Sequence, residues 1–233
     1  MRSVNQGRRT DVTVPFTDFL HSAPAISVAP LYEKIGKRAL DLTLVLATLP
    51  VALPVLALLL TATWFEGGRP IYVQRRIGRR GREFRFWKIR TMVPDADVAL
   101  RDLLARDAAA AQEWHQHQKL KRDPRVTRLG RFLRRTSLDE LPQILNVLNG
   151  TMSLVGPRPF TPEQQQLYAG GHAAAYYSLR PGLTGLWQVS RRHEGAFGER
   201  AMFDASYRAG LSLGQDLVIL WRTLGVVFKA KGV

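Results

Sequence analysis

Hydrophobic positions are spread unevenly along the chain. From Leu42 to Ala62 there are 21 residues without a charge, and a helix needs roughly 20 to span a bilayer. Pro50 and Pro54 interrupt the run, and an internal proline removes a helical hydrogen bond and bends the axis. Basic residues flank both ends, with Lys34, Lys37 and Arg38 before and Arg69, Arg75 and Arg76 after. Under the positive-inside rule both ends belong on the cytoplasmic side. The pattern predicts a re-entrant helix over 31–66, broken at Pro54, that dips into one leaflet and returns. An ordinary spanning helix with tolerated prolines is the competing reading.

Beyond Gly67 and Gly68, Ile71 to Gln74 and Phe84 to Ile89 are rich in aromatic and β-branched residues, with turn chemistry from Gly78 to Gly81 between them, a β-hairpin signature. Asp95 to Lys119 is Ala-rich and helical in character. Val126, Leu129 and Leu133 recur among Arg125, Arg128, Arg131, Arg134 and Arg135, as in a short basic helix lying in a membrane interface. In the next segment Leu138, Leu141, Leu145 and Leu148 share one side, and Asp139, Gln143 and Asn146 the other. Ser137 fits its N-cap, with Glu140 completing a capping box. Leu217, Leu220, Trp221, Leu224 and Phe228 form a C-terminal stripe suited to core or interface packing. The fold class is α+β, mainly helical. A mobile tail over 1–30 precedes the re-entrant helix-break-helix, and 67–233 form a cytosolic, interfacial domain with a small β-hairpin and amphipathic helices.

Charge narrows the partners. Lys and Arg number 34 against 19 Asp and Glu, a formal charge of +15, which favours nucleic acid, anionic headgroups or phosphorylated substrates. Nine of the basic residues fall between Arg69 and Arg90, with Glu83 the one acid among them; beside a membrane segment such a cluster meets phospholipid headgroups. The chain has no cysteine, which excludes disulfides, thiolate nucleophiles and Cys-based zinc sites. Residues 1–30 lack the apolar centre of a signal peptide. His115 and His117, at i and i+2 of a helix, point to different faces and make no metal pair. Neither a P-loop nor a dinucleotide-binding glycine motif occurs.

The candidate chemistry lies at Asp139 and Glu140. As helix-end carboxylates they would each contribute about 1 kcal/mol or less. The following Gly156-Pro157-Arg158-Pro159 turn holds an arginine stiffly nearby, and carboxylates among arginines suggest phosphate chemistry. A basic membrane adaptor binding nucleic acid or acidic lipid would account for the charge. It leaves the acidic pair and the Gly/Pro turn without a purpose.

From about Lys34 to the C-terminus the chain resembles the bacterial sugar transferases, also called monotopic phosphoglycosyl transferases, and most of all their short exopolysaccharide-initiating members. The resemblance rests on separated motifs in the family's order: Lys37, Arg38 and Asp41; Lys88-Ile89-Arg90-Thr91-Met92; the block from Arg134 through Gln143, Asn146 and on to Pro159; Arg180-Pro181-Gly182-Leu183-Thr184-Gly185-Leu186-Trp187-Gln188-Val189; and Asp204, Tyr207 and Asp216. It departs at Leu53, where the family often has Ser before the kinking proline, and at Ser190-Arg191, where it often has Asn-Gly.

The resemblance implies transfer of hexose-1-phosphate from a UDP-sugar to undecaprenyl phosphate with release of UMP, at the cytoplasmic face of a bacterial inner membrane. It implies Asp139 as nucleophile and Glu140 as ligand of a Mg²⁺ cofactor. Lys88, Arg90, Arg134 and Arg158 would bind substrate phosphate, Gln188 and Arg192 would contact the nucleotide, and Asp216 would support the site. UDP-galactose or UDP-glucose is the implied donor, with UDP-N-acetylated or modified sugars as alternatives. No nucleic acid partner is expected, and self-association is left open. An aspartate of ordinary pKa needs no base to attack phosphorus, which fits a dyad without histidine.

Overall fold

The computed structural model describes residues 31–117, 120, 123–168, 173–190 and 197–228. The predicted tail over 1–30 and Arg192 lie outside the described residues. The apolar run forms α1 (Lys37–Phe65), entered through a π-helical turn at Tyr32–Gly36. Its 29 residues extend roughly 44 Å at 1.5 Å per residue. Helical hydrogen bonding passes through Pro50 and Pro54, so the break expected at Pro54 is absent. Each proline forfeits one backbone donor while neighbouring residues carry the ladder onward.

The faces of α1 are sorted sharply. Lys37, Asp41, Val45, Leu49, Ala52, Leu56, Leu59 and Thr63 are buried or half-buried, while Pro50 and Pro54 are exposed. Steps of three and four place the first set on a single stripe. That stripe meets one body along its whole length. Arg38 donates to the carbonyls of Val147 and Leu148 at 2.5 and 2.9 Å, and Asp41 accepts from Ser153 Oγ and Leu154 N at 3.0 and 2.9 Å. Val45 packs with Phe86, Val147 and Met152, and Leu59 with Ile89 and Leu133. The outer face leaves Leu46, Val51, Leu58 and Trp64 exposed.

The hairpin forms as expected but longer, β1 (Ile71–Ile77) pairing antiparallel with β2 (Glu83–Ile89), with Ile71 opposite Ile89. The Ala-rich stretch divides into α2 (Ala96–Arg106) and α3 (Ala108–His117). Asp107 between them is extended and caps α3 by accepting from Ala110 N at 3.0 Å. The basic helix is α4 (Arg128–Thr136), capped by Thr127 Oγ1 on Gly130 N at 2.8 Å. Val126 just ahead of it and Leu133 within it turn into the core, while Phe132 of the same helix is exposed. Gly130 is required there, because a Cβ would sit 2.0 Å from the Thr91 carbonyl oxygen.

A short 3₁₀ turn, Leu138–Gln143, leads into α5 (Ile144–Leu148). β3 (Ser153–Val155) then pairs in parallel with β4 (Gly182–Thr184). α6 (Ala173–Ser178), α7 (Leu186–Ser190), α8 (Arg200–Ala209) and α9 (Leu213–Phe228) complete the chain. The core beneath them gathers Val155, Leu179, Trp187, Phe203, Tyr207, Leu211 and Ile219. α9 buries Asp216 and Ile219 and turns Leu217, Trp221 and Leu224 outward. The expected packing stripe is therefore mostly exposed, because a polar group, Asp216, takes the inward face.

Candidate active site

Strand periodicity builds one wall. Residues two apart on β2 share a face, which carries Phe86 and Lys88 on towards Arg90. Tyr72 and Gln74 pair with Lys88 and Phe86, and Arg76 with Phe84, so they project on that same side. Lys88 Nζ lies 5.7 Å from the Phe86 ring centroid.

The acidic pair arrives by a different local structure from the one the sequence suggested. Ser137 has φ 59° and ends α4, and it makes no N-cap bond to the 3₁₀ turn that follows. The expected capping box does not form, and the Glu140 carboxylate faces cations instead. Pro142 lies inside that turn and lacks the N–H an α-helix would use. Asn146 fastens the segment to β2, donating to Arg85 O at 2.7 Å and accepting from Trp87 N at 3.4 Å. The polar stripe of Asp139, Gln143 and Asn146 thus faces the hairpin, and all three residues are buried.

Lys88 bridges the pair, donating to Asp139 Oδ2 at 3.2 Å and to Glu140 Oε1 at 2.9 Å. Arg158 Nη2 reaches Glu140 Oε1 at 3.5 Å. Burial pushes the Asp139 carboxyl above the usual range; Lys88 draws it back down, Glu140 adds to the rise and Arg134 opposes it. The ordinary pKa expected of a nucleophilic aspartate is therefore corrected upward, the cause being only 6% exposure. Arg134 is itself held by its Nε donating to Thr91 Oγ1 at 2.9 Å.

These groups line a cleft of about 910 Å³ that also includes Arg90 and Gln188. Seven cations (Arg76, Lys88, Arg90, Arg125, Arg134, Arg158 and Arg200) face four acids (Asp95, Asp97, Asp139 and Glu140), so the cleft favours anions. Several of its donors are buried without a hydrogen-bond partner: Arg76 Nε, Arg90 Nε and Nη1, Arg200 Nε and Gln188 Nε2. In a low-dielectric wall such groups are costly until a ligand satisfies them. Among the described residues no group of three or more His, Asp or Glu side chains converges. A magnesium ion here would rest on Glu140, ligand oxygens and water, a sparse protein donor set that suits this cation.

Asp216 is elsewhere. Fully buried, it receives Lys37 Nζ at 2.7 Å, Tyr32 Oη at 2.5 Å and Tyr207 Oη at 2.6 Å, and it does not line the cleft. The support expected from it is corrected to tying the start of α1 to α9. Arg76 and Arg200 went unnamed as site residues in the sequence. The alternation that aligns Arg76 with Lys88 was available; nothing around Arg200 marked it.

The chain matches the family model described as bacterial sugar transferase over residues 32–230. It is 45% identical over 196 residues to the "UDP-galactose-lipid carrier transferase" of Erwinia amylovora, covering 84% of this chain and 41% of that protein. It is 41% identical to "Exopolysaccharide production protein ExoY" of Sinorhizobium fredii, covering 85% and 88% respectively. It is 37% identical to the "UDP-glucose:undecaprenyl-phosphate glucose-1-phosphate transferase" of Caulobacter vibrioides, covering 90% and 76%. The chain thus spans less than half of the Erwinia relative and most of the other two.

Proposed function

The chain belongs to the bacterial sugar transferase family, and from that premise we propose that it transfers hexose-1-phosphate from a UDP-hexose to undecaprenyl phosphate, releases UMP, and so initiates an exopolysaccharide. The observation that carries the reading is Asp139, buried and held by Lys88 within a cleft whose other cations exceed its acids. Asp139 is the nucleophile. An Oδ attacks the sugar-bearing phosphorus, the bond from that phosphorus to the UMP oxygen breaks, and a glycosyl acyl-phosphate forms. Lys88 keeps the carboxylate ionised against burial. Arg134 and Arg158 hold the phosphate oxygens as charge shifts between them, the main demand of phosphoryl transfer.

Glu140 would hold magnesium with the diphosphate; when bound, the ion neutralises charge on the leaving phosphate. Arg90 adds donors, and Gln188 and Arg192 contact the nucleotide. Galactose and glucose are the favoured hexoses, since relatives carry both in their names.

The apolar helix, unbroken at Pro54, is read as lying within one leaflet instead of turning back, which places the cleft on the cytoplasmic side of the inner membrane among phospholipid headgroups. What supports this is the inward stripe of α1, which contacts one body from Lys37 to Thr63, with both prolines on the opposite, exposed face. A helix perpendicular to the bilayer would leave that body after its first turns.

The test is UMP release by the detergent-solubilised chain given Mg²⁺, undecaprenyl phosphate and each UDP-sugar in turn. Lipid-dependent release with a UDP-hexose, lost in Asp139→Asn, is expected. Undiminished turnover by Asp139→Asn would end the covalent reading, and release only with an N-acetylated donor would replace the hexose.

A further inference from the structure

Three arginines of the cleft wall share one region. Arg76 donates through Nη1 to the carbonyl of Pro159 at 3.2 Å, directly after Arg158, and through Nη2 to Gln74 at 2.8 Å. Its guanidinium lies 5.3 Å from the Phe86 ring centroid. Arg200 stacks 4.5 Å from the Phe197 centroid and 5.7 Å from that of Trp187. Phe197 in turn meets Phe160 edge-on at 6.2 Å, two residues beyond Arg158. Each flanking guanidinium is thus braced on aromatic rings and keeps a buried Nε without a partner. Burial, and then the Arg158 charge, draw both Arg76 and Arg200 down to about 10. Like charges gathered this way repel one another until an anion lies between them.

We propose that Arg76, Arg158 and Arg200 form one anion subsite used twice in each turnover, first by the phosphate of the departing UMP and then by the phosphate of the incoming polyprenyl lipid. The inference rests on the covalent reading above and follows from its stereochemistry. Displacement at phosphorus is roughly in line, so UMP leaves opposite Asp139. The lipid phosphate must then attack the acyl-phosphate opposite that same Asp139 oxygen, along the line UMP vacated. Charge closes in the same way. A UDP-hexose dianion and one carboxylate give a singly charged glycosyl acyl-phosphate and the UMP dianion. In the second step a dianionic lipid phosphate oxygen bonds to phosphorus, the Asp139–phosphorus bond breaks, and the carboxylate returns beside a doubly charged polyprenyl diphosphate sugar. Both visitors are monosubstituted phosphate dianions, so one cradle serves both, and no proton moves.

The test uses the full chain carrying Asp139→Asn, which binds without turning over, in detergent. UMP binding is followed by calorimetry with and without farnesyl phosphate as a short-chain lipid probe. Each ligand is expected to exclude the other, the apparent Kd of UMP rising in proportion to farnesyl phosphate. Arg76→Gln and Arg200→Gln should each weaken both ligands about tenfold and leave uridine binding unchanged. Simultaneous binding of UMP and farnesyl phosphate, or loss of only one ligand in these variants, overturns the shared subsite. A glycosyl-phosphoryl adduct trapped on the unmodified chain with UDP-hexose alone reports separately on the covalent reading. If that adduct forms while both ligands bind together, only the subsite is wrong; if none forms, the covalent reading fails and takes the shared subsite with it.

Discussion

Replacing Lys37 with methionine removes the cation from a buried knot while keeping most of the side chain's volume. Lys37 Nζ gives hydrogen bonds to Asp216 at 2.7 Å and Tyr207 Oη at 2.8 Å, with side-chain exposures of 11% for Lys37 and 0% for Asp216. In the variant Asp216 keeps two tyrosine donors and loses its counter-ion. Breaking a buried pair from one side costs about 3–5 kcal/mol. For a chain of this size each kcal/mol moves Tm by about 2–4 °C, so a fall of roughly 6–20 °C is expected. Adding Asp216→Asn removes the stranded charge; Tyr32 and Tyr207 meet different carboxylate oxygens, so one can still donate to the amide oxygen while the other accepts from the amide nitrogen. The double variant should therefore recover at least half of the loss. Thermal unfolding of the four proteins of the cycle in detergent, followed by tryptophan fluorescence, gives the coupling. A loss below about 1 kcal/mol for Lys37→Met, or a double variant as unstable as the sum of the singles, would refute the assignment of this pair as the tie between α1 and α9.

Three further outcomes follow from the site and its supports. Because burial raises Asp139 while Lys88 opposes the rise, adduct formation should increase with pH through a carboxyl titration. Lys88→Met should move that acid limb to higher pH in single-turnover measurements, and an unmoved limb would argue against Lys88 as the ionising partner. Asp204, hydrogen-bonded by Tyr168, is pushed up to about 7 by burial. The folded chain therefore holds a proton that the unfolded chain has released, and stability falls as pH rises from about 4 to 7; Asp204→Asn should flatten Tm against pH over that window. Gly130→Ala would place a Cβ 2.0 Å from the Thr91 oxygen, so denaturant titration should show a loss of about 1–3 kcal/mol, and the Arg134–Thr91 bond should suffer with it.

What the sequence disclosed depended on the range of the interaction. The aromatic and β-branched residues of Ile71–Gln74 and Phe84–Ile89, with the glycine turn between them, are local and pointed to the hairpin, and the charge-free run pointed to α1. The same local logic erred at Ser137, where a cap pattern met a chain already turning out of α4 in the left-handed region and a turn whose fifth residue is Pro142. At α4 and α9 amphipathicity says that a face is apolar but not what covers it: Leu133 is buried in the core, while Leu217, Trp221 and Leu224 are exposed. Asp139, Glu140, Lys88, Arg90, Arg134, Arg158 and Gln188 do converge on one cleft, as the separated motifs implied. Contacts such as Lys37 with Asp216, 179 positions apart, leave no periodic trace, and so Asp216 was assigned to the wrong neighbourhood. Arg200 was silent for a related reason: its partners Trp187 and Phe197 belong to other elements.

The long helix also bears on where the chemistry takes place. Arg90, at the end of the hairpin wall, donates from Nη2 to the Thr63 carbonyl at 3.0 Å while its guanidinium lines the cleft. Ile89 beside it packs on Leu59, and Ile144, in the helix that follows the dyad's turn, joins Leu49 of α1 against the cluster of Val45, Phe86, Val147 and Met152. Cleft wall and dyad are thus each fastened to α1, one near its end and the other near its middle. If α1 lies within one leaflet, these two attachments fix the height of Asp139 relative to the headgroups, where a lipid phosphate resides. A charged residue introduced on the outer face, Leu58→Glu for example, touches neither the cleft nor the packed stripe and should leave UMP binding intact. It should release the chain from vesicles and lower lipid-dependent turnover together. Loss of UMP binding in that variant would mean that the outer face supports the fold, and not the depth of the site.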